Sequence, residues 1–292
     1  MAKKVAVIND LSGFGKCSLT AAIPVLSVMG IQCCPLPTAV LTGQTGYEHY
    51  ESMDLTNMMP RYTDAWVKNH ACFDGIYSGY LTGPEQITQV MDFLSVFRKK
   101  DTFLLVDPVM GDDGHVYGIY SEELLDGMKT LTAQANLITP NLMEACLLTG
   151  TSFDKLQEYH SVSDLLTAAK EVGHKLLAQA HEKQDVVITG IKFQDAATAS
   201  ICNLAVTSDG DYDVETPFVP KSYSGTGDLF ASILCGSRLN GYSTKKSIVL
   251  ASHFLINSIN DTLYTDSGTN DGVEFERHLS ELIPKIPSRG GD

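Results

Sequence analysis

An α/β domain organised on a mostly parallel sheet is the fold class that the 292-residue sequence predicts, and three observations carry it. Short apolar or β-branched runs alternate with helix-period stretches through the first two thirds of the chain, the pattern of a parallel sheet covered on both faces. Runs such as Phe103-Leu104-Leu105-Val106 are apolar at consecutive positions, as a strand buried on both sides requires. Polar groups recur where such strands would end, at Asn9-Asp10, Ser78-Gly79, Asp107-Pro108, Thr139-Pro140-Asn141 and Thr189-Gly190. Open parallel sheets bind ligands along that edge. Each pair alone also reads as a βα turn with an N-cap, but five of them converge.

In chain order, Val5-Ala6-Val7-Ile8 ahead of Asn9-Asp10 predicts a first strand over 5–9, an apolar run too short for a secretory leader. A helical period follows over 19–29, then a strand over 33–37, a helix over 56–68 and a strand over 75–78. A helix over 85–99 leads into the strand over 103–107. The strand over 137–139 ends at Thr139-Pro140-Asn141, where Pro at a helix start and Glu144 in the first turn predict a helix over 141–149. A helix over 163–180 and a strand over 186–189 complete the alternation. The pattern then changes. Strands over 200–206 and 211–217 flank Ser208-Asp209-Gly210 and read as a C-terminal antiparallel hairpin. Helices over 227–239 and 244–259 follow. With no internal repeat and no low-complexity linker, residues 1–282 read as one domain and 283–292 as a frayed tail.

Composition narrows the function. With 43% hydrophobic and 19% charged residues the chain can bury a sizeable core. No apolar stretch approaches the ~20 residues of a membrane span. Twenty-one basic against 35 acidic residues leave a net charge of −14, and the scattered Lys and Arg form no basic stripe for nucleic acid. A polyanionic ligand would have to be held by backbone N–H groups, helix N-termini and metal ions. The seven cysteines are odd in number and lack a CxxC pair, so neither a disulfide framework nor a zinc site is indicated, and a cytoplasmic location fits.

Four glycine- or acid-rich segments could carry chemistry. Ser12-Gly13-Phe14-Gly15-Lys16-Cys17-Ser18 looks like a nucleotide loop but has Asp10 and Cys17 where a P-loop needs Gly and Ser or Thr, and Ser18 where a dinucleotide fingerprint needs Gly. It fits a substrate-hugging loop or a plain turn equally. Ser224-Gly225-Thr226-Gly227-Asp228 leads small residues into an apolar helix. Its amides can curl round a transferring phosphoryl group, and Asp228 beside them can take a proton from an alcohol; the alternative is an acidic first-turn residue favoured by the helix dipole. Asp107-Pro108-Val109-Met110-Gly111-Asp112-Asp113-Gly114 offers three carboxylates after a buried strand, suited to Mg²⁺ together with phosphate oxygens, or simply a solvated turn. In the fourth, Thr139-Pro140-Asn141-Leu142-Met143-Glu144, capping is a sufficient explanation by itself.

In combination, PLPTAVLTGQTGY at 35–47, SGYL at 78–81, DPVMGDDG at 107–114, ITPNLMEA at 138–145, VVITG at 186–190 and SGTGDLFAS at 224–232 make the chain resemble the ribokinase-like superfamily of small-molecule kinases, and within it the pyridoxal (vitamin B6) kinases. The resemblance runs from about residue 5 to 260. It implies a Rossmann-like α/β/α sandwich, use of ATP with Mg²⁺ and a monovalent cation such as K⁺, and a homodimer. Asp228 would be the base that deprotonates the 5′-hydroxymethyl group of pyridoxal, pyridoxamine or pyridoxine, with Gly225, Thr226 and Gly227 as the anion hole. Asp107, Thr139 and Glu144 would organise the metal and phosphate region, Asp112 and Thr189 would lie near the ATP phosphates, and Tyr117 and Asn141 would also contact the nucleotide. Thr216, Phe218, Val219 and the final helices would form the adenine pocket.

On the acceptor side the resemblance implies Asp10, Ser12, Thr45, Tyr47 and Tyr80, with Val40 and Phe14 packing on the ring. Asp10 stands where many pyridoxal kinases have Ser, and SGFGKCS replaces their usual loop, a departure towards the hydroxymethylpyrimidine kinases. A hydroxymethylpyrimidine kinase is therefore the alternative enzyme, and a non-catalytic B6- or nucleotide-binding protein the alternative class. His49 and His115 have no partner at metal spacing and read as surface residues. Cys17 could attack an aldehyde or be an inert packed thiol, and Lys16 with its neighbouring glycines makes the first loop one candidate lid.

Overall fold

The computed structural model describes residues 2–284 except Asp113, His160, residues 195–198 and Pro220. The expectations placed on Asp113 and on the tail beyond 284 lie outside the described residues. The strands are β1 (Lys4–Ser12), β2 (Gln32–Leu41), β3 (Ser52–Asp54), β4 (Gly75–Ser78), β5 (Phe103–Val106), β6 (Gly111–Asp112), β7 (His115–Val116), β8 (Leu137–Ile138), β9 (Asp185–Gln194), β10 (Ala199–Val206) and β11 (Tyr212–Pro217). The helices are α1 (Ser18–Val28), α2 (Met59–Lys68), α3 (Pro84–Phe97), α4 (Glu122–Thr132), α5 (Leu142–Thr149), α6 (Phe153–Gln157), α7 (Val162–Gln179), α8 (Thr226–Leu239) and α9 (Thr244–Thr262).

One sheet runs in the order β11-β10-β9-β8-β5-β4-β1-β2-β3. Every neighbouring pair from β9 through β8, β5, β4 and β1 to β2 is parallel, and the antiparallel pairs, β9/β10, β10/β11 and β2/β3, lie at the two margins. On one face Ile76, Leu104 and Val106 pack against α3, α4, α5 and α7 through Val90, Leu124, Ala145 and Ala169. On the other, Val7, Tyr77 and Leu105 pack against α1, α8 and α9 through Ala22, Ile233 and Phe254. The apolar runs of the central strands are thus buried from both sides, and the α/β/α sandwich expected from the sequence is the observed fold.

The sheet order reverses between β1 and β4: the chain passes from β1 to β2 on one side and builds β4, β5, β8 and β9 on the other. The crevice at such a reversal is where an open α/β sheet receives a ligand. The β1/β2 register also slips between Asn9 and Leu11, an irregularity of the kind that re-aims side chains beside active sites.

Helix α6 was not expected and strand β2 runs on to Leu41, and further features differ from the sequence reading. Helix α4 was not expected, although Ser121 caps it by accepting from Leu124 N at 3.1 Å and Glu122 and Glu123 sit in its first turn. Its apolar positions Leu124, Leu125, Met128 and Leu131 carry the helical period that marks it. Strand β3 and the β6/β7 pair have two or three residues per strand, too few to show a period. Strand β9 runs on to Gln194, making β9, β10 and β11 three antiparallel strands in succession where one hairpin was expected. After α9, 3₁₀ turns at Thr269–Asp271 and Glu276–Leu282 carry the chain back to the loop after β1. Among the described residues no helix is long and apolar enough to cross a membrane, and all seven cysteines are free.

Candidate active site

A cavity of about 1100 Å³ opens along the C-terminal edge of the parallel strands, large for a single small ligand. The structure brings together on its walls Asp10, Ser12, Thr45, Tyr80, Asp107, Asp112, Tyr117, Thr139, Asn141, Glu144, Thr189, Thr216, Phe218, Val219, Gly225, Thr226, Gly227 and Asp228. Of the residues singled out for the site, Tyr47 and the two expected ring contacts Val40 and Phe14 are not on them. The polar strand ends therefore meet for a topological reason: parallel strands finish on the same edge.

Asp228 lies in the first turn of α8, half-buried, with its Oδ1 accepting from Asn9 Nδ2 at 3.1 Å. Burial pushes its carboxyl up to about 6, with Asp10 adding in the same direction, while hydrogen bonds from the Ser18 backbone and the Asn9 side chain pull it back. The helix starts tightly. Gly225, at φ 81°, precedes it, and a Cβ there would lie 1.9 Å from Lys16 O, so only glycine fits against the loop after β1. Thr226 Oγ1 is spent on Tyr223 O at 3.1 Å, which leaves backbone amides, not this hydroxyl, as the donors for an anion.

Asp107 and Glu144 form the second acidic position. Thr139 Oγ1 donates to Asp107 Oδ1 at 2.9 Å. Burial, reinforced by the Asp228 charge, pushes the Asp107 carboxyl up to about 8. Glu144 is the reciprocal partner of a capping box, its N–H on Asn141 Oδ1 and its Oε2 accepting from Asn141 N, both at 2.9 Å. Its Oε1 accepts from Met110 N at 3.0 Å. Capping thus accounts for the sequence position of Glu144, yet the same carboxylate is buried beside Asp107 and its pKa is raised by burial and by that charge. Asn141 Nδ2 donates to Gly111 O at 2.7 Å, fixing the acidic turn against α5.

At the far end, Thr216 in β11, Phe218 and Val219 just after it, and Leu255, Ile256 and Ile259 of α9 line the cavity. Asn203, which the sequence did not single out, accepts from Gly190 N at 3.2 Å and donates to Ser252 Oγ at 3.1 Å. Lys192 and Lys221 line this part of the cavity, and Lys221 Nζ lies 4.9 Å from the Tyr223 ring centroid.

The near end contains Asp10, buried at 6% exposure, which accepts from Ser12 Oγ at 2.9 Å and from the Ser18 hydroxyl, and whose pKa burial raises. Gln44, Tyr50, Ser18, Thr269 and Asn270 also line it; none was singled out. The segment around Asn270 clasps the loop after β2. Asn270 Nδ2 donates to Gly46 O at 2.6 Å, Gln44 Nε2 donates to Asn270 O at 3.2 Å, and Tyr47 donates its hydroxyl proton to Asp271 Oδ1. Tyr47 is thereby turned to the clasp and away from the cavity. Phe14 is 62% exposed and packs on Tyr47 with ring centroids 5.2 Å apart, and Val40 is also exposed; neither lines the cavity. Lys16 is tied to Glu274 at 3.1 Å and Glu276 at 3.0 Å, an anchored loop residue. His49 and His115 are exposed, away from the cavity walls. The Cys17 thiol is pushed up to about 12 by burial and by Asp228 and Asp10, which suits a packed thiol and not a nucleophile.

Comparison with known proteins agrees with this geometry. The sequence profile described as phosphomethylpyrimidine kinase matches residues 16–272. The Bordetella avium pyridoxine/pyridoxal/pyridoxamine kinase is 29% identical over 261 residues, 87% of this chain and 83% of its own. A Bacteroides thetaiotaomicron protein, provisionally assigned as a phosphomethylpyrimidine kinase and crystallised with pyridoxal, superposes with a TM-score of 0.89 at 35% identity, covering 98% of this chain and 97% of its own. The crystal structure of pyridoxal kinase from Lactobacillus plantarum follows at 0.85 and 28%, covering 97% of each chain.

Proposed function

The chain belongs to the phosphomethylpyrimidine kinase family, and from that premise we propose that it is a pyridoxal kinase, transferring the γ-phosphoryl group of ATP to the 5′-hydroxymethyl group of pyridoxal, pyridoxine or pyridoxamine. The observation that carries the reading is the juxtaposition, in one cavity, of a half-buried carboxylate at the start of α8 with the bare amides of that same helix end. The relatives named for B6 vitamers and the pyridoxal held by the Bacteroides protein support the pyridine ring over the pyrimidine.

On this reading Asp228 accepts the acceptor hydroxyl proton as its oxygen attacks the γ-phosphorus, and the bond to the β,γ-bridging oxygen breaks to release ADP. The amides of Gly225, Thr226 and Gly227 hold the migrating group, so catalysis is positioning and electrostatics. Asp10 and Ser12 orient the acceptor ring with Thr45 and Tyr80. The part of the cavity lined by residues 216–219 and α9 takes the adenine.

Asp107 and Glu144 fit a divalent cation. Both are buried carboxylates whose pKa burial raises, Asp107 further by the Asp228 charge and Glu144 further by the Asp107 charge, a concentration of negative charge that a cation would relieve. Mg²⁺ uses one or two carboxylates and completes its shell with phosphate oxygens and water; when bound it supplies charge neutralisation to the nucleotide phosphates. Among the described residues no cluster of three or more His, Cys, Asp or Glu could hold a metal ion.

The test is ADP release from purified enzyme with Mg-ATP and each of pyridoxal, pyridoxine, pyridoxamine and hydroxymethylpyrimidine. The expected result is the highest kcat/KM on a B6 vitamer. Turnover on hydroxymethylpyrimidine alone would overturn the substrate assignment, and vitamer binding without ADP formation would overturn catalysis.

A further inference from the structure

Asp228 is held by donors that no sequence motif marks. Asn9, at the end of β1 and fully buried, points Nδ2 at Asp228 Oδ1 over 3.1 Å. Its own Oδ1 accepts from Asp10 N at 3.0 Å and from Tyr80 N at 2.9 Å. Two backbone N–H groups on one amide oxygen decide the orientation of the group: a flipped amide would set NH₂ against two donors and oxygen against a carboxylate. Gly79 completes the fit, because a Cβ there would lie 2.5 Å from Asn9 Nδ2. A second donor comes from the start of α1, where Ser18, at φ 49°, gives its backbone N–H to Asp228. A left-handed serine is a strained conformation of the kind retained at functional sites.

We propose that Asn9 is a positioning residue for phosphoryl transfer, its pinned side-chain N–H holding the Asp228 carboxylate towards the acceptor hydroxyl. The inference rests on the reading of Asp228 as the base and extends it to a residue that lies 219 positions away in sequence. The other titratable groups around Asp228 are Asp10 on β1, Asp107 after β5, Cys17 ahead of α1, Tyr77 on β4 and Tyr117 after β7. None of them has a donor locked by two backbone amides.

Two variants separate positioning from folding. Asn9→Ala removes the N–H but also strands the Asp10 and Tyr80 amides, so it is paired with Gly79→Ala, whose Cβ would lie 2.5 Å from Asn9 Nδ2 and 2.9 Å from its Oδ1 and so displaces the amide group from Asp228 without deleting it. Both are compared with Asp228→Asn by steady-state kinetics across pH 5–9, per mole of folded enzyme from thermal unfolding. The expected result is a kcat lower by roughly 10- to 100-fold in both variants, within the span of general-base effects. KM for ATP and for pyridoxal should stay within about twofold, and the acid limb of kcat should move to higher pH because a donor to the ionised form is gone. Wild-type kcat in folded Gly79→Ala and Asn9→Ala beside an inactive Asp228→Asn overturns the role of Asn9 alone. Lower kcat with an unmoved acid limb and raised KM marks a packing defect and also overturns it. An active Asp228→Asn removes the base itself.

Discussion

As the proposed base, Asp228 would act as a carboxylate, and burial raises its pKa to about 6. Activity should therefore fall as pH drops through about 6, and Asp228→Asn should lose about 10²- to 10⁴-fold in kcat, the usual contribution of a positioned base, with ATP affinity nearly intact by titration of the variant. The same shift predicts stability. A carboxyl whose folded pKa lies above its unfolded value of about 3.9 costs stability at pH above the folded value, and the cost disappears as pH falls below the unfolded one. Asp228→Asn should thus raise Tm at pH 8, with the gain shrinking at pH 5; an equal shift at both would contradict the raised pKa. Asp10 has the same signature of burial with two hydroxyl donors, and Asp10→Ser should raise KM for pyridoxal or pyridoxamine by about tenfold. Equal and unchanged KM values for the two would remove Asp10 from the acceptor site. At this scale the sequence was informative where chemistry clusters within a few residues, as in Gly225 to Asp228 and Asn141 to Glu144, whose roles follow from turn and capping chemistry. It was silent on Asn9, whose meaning depends on an oxygen that only the folded sheet brings near. Tyr47 misled because a motif places a residue on a loop and does not say which way the side chain turns; Asp271, 224 positions on, decides that.

Among elements, the tightest constraint is the contact between the start of α8 and the loop after β1. Gly225→Ala adds a Cβ 1.9 Å from Lys16 O in a left-handed backbone. The conformational strain alone is ~1–2 kcal/mol. The clash must also displace the loop or the helix start, so both Tm and kcat should fall, as calorimetry and the ADP assay would report; a stable, active Gly225→Ala would show that this approach is relaxed in solution. The central strands were legible because a strand buried on both faces must be apolar throughout, and 75–78 was read with the bounds it has as β4. Two-residue strands such as β6 and β7 have no period to read; their pairing follows from the acidic turn being drawn against α5 by Asn141. Helix α4 carries its signature at Leu124, Leu125, Met128 and Leu131, a capped amphipathic period set between two chemically denser segments.

For the molecule as a whole, the parallel order of the sheet gathers residues from β1, β5, α5 and α8 on one edge, and the last part of the chain returns to wall off the end that holds Asp10 and Ser12. Asn270 is joined to Gly46 and Gln44, and Asp271 to Tyr47. Asn270→Ala should therefore raise KM for pyridoxal by about tenfold while leaving KM for ATP within twofold; equal changes in both would mean that the clasp supports the whole fold and not one end of it. The Lys16 pairs with Glu274 and Glu276 are partly solvated and should add little, ~0–1 kcal/mol each. The order in which the polypeptide is made gives this clasp a further meaning. Asp228 precedes Asn270 in the chain, so on the proposed reading the phosphate cradle leaves the ribosome before the segment that closes the other end, and full turnover is expected only once residues 269–271 have emerged and folded back.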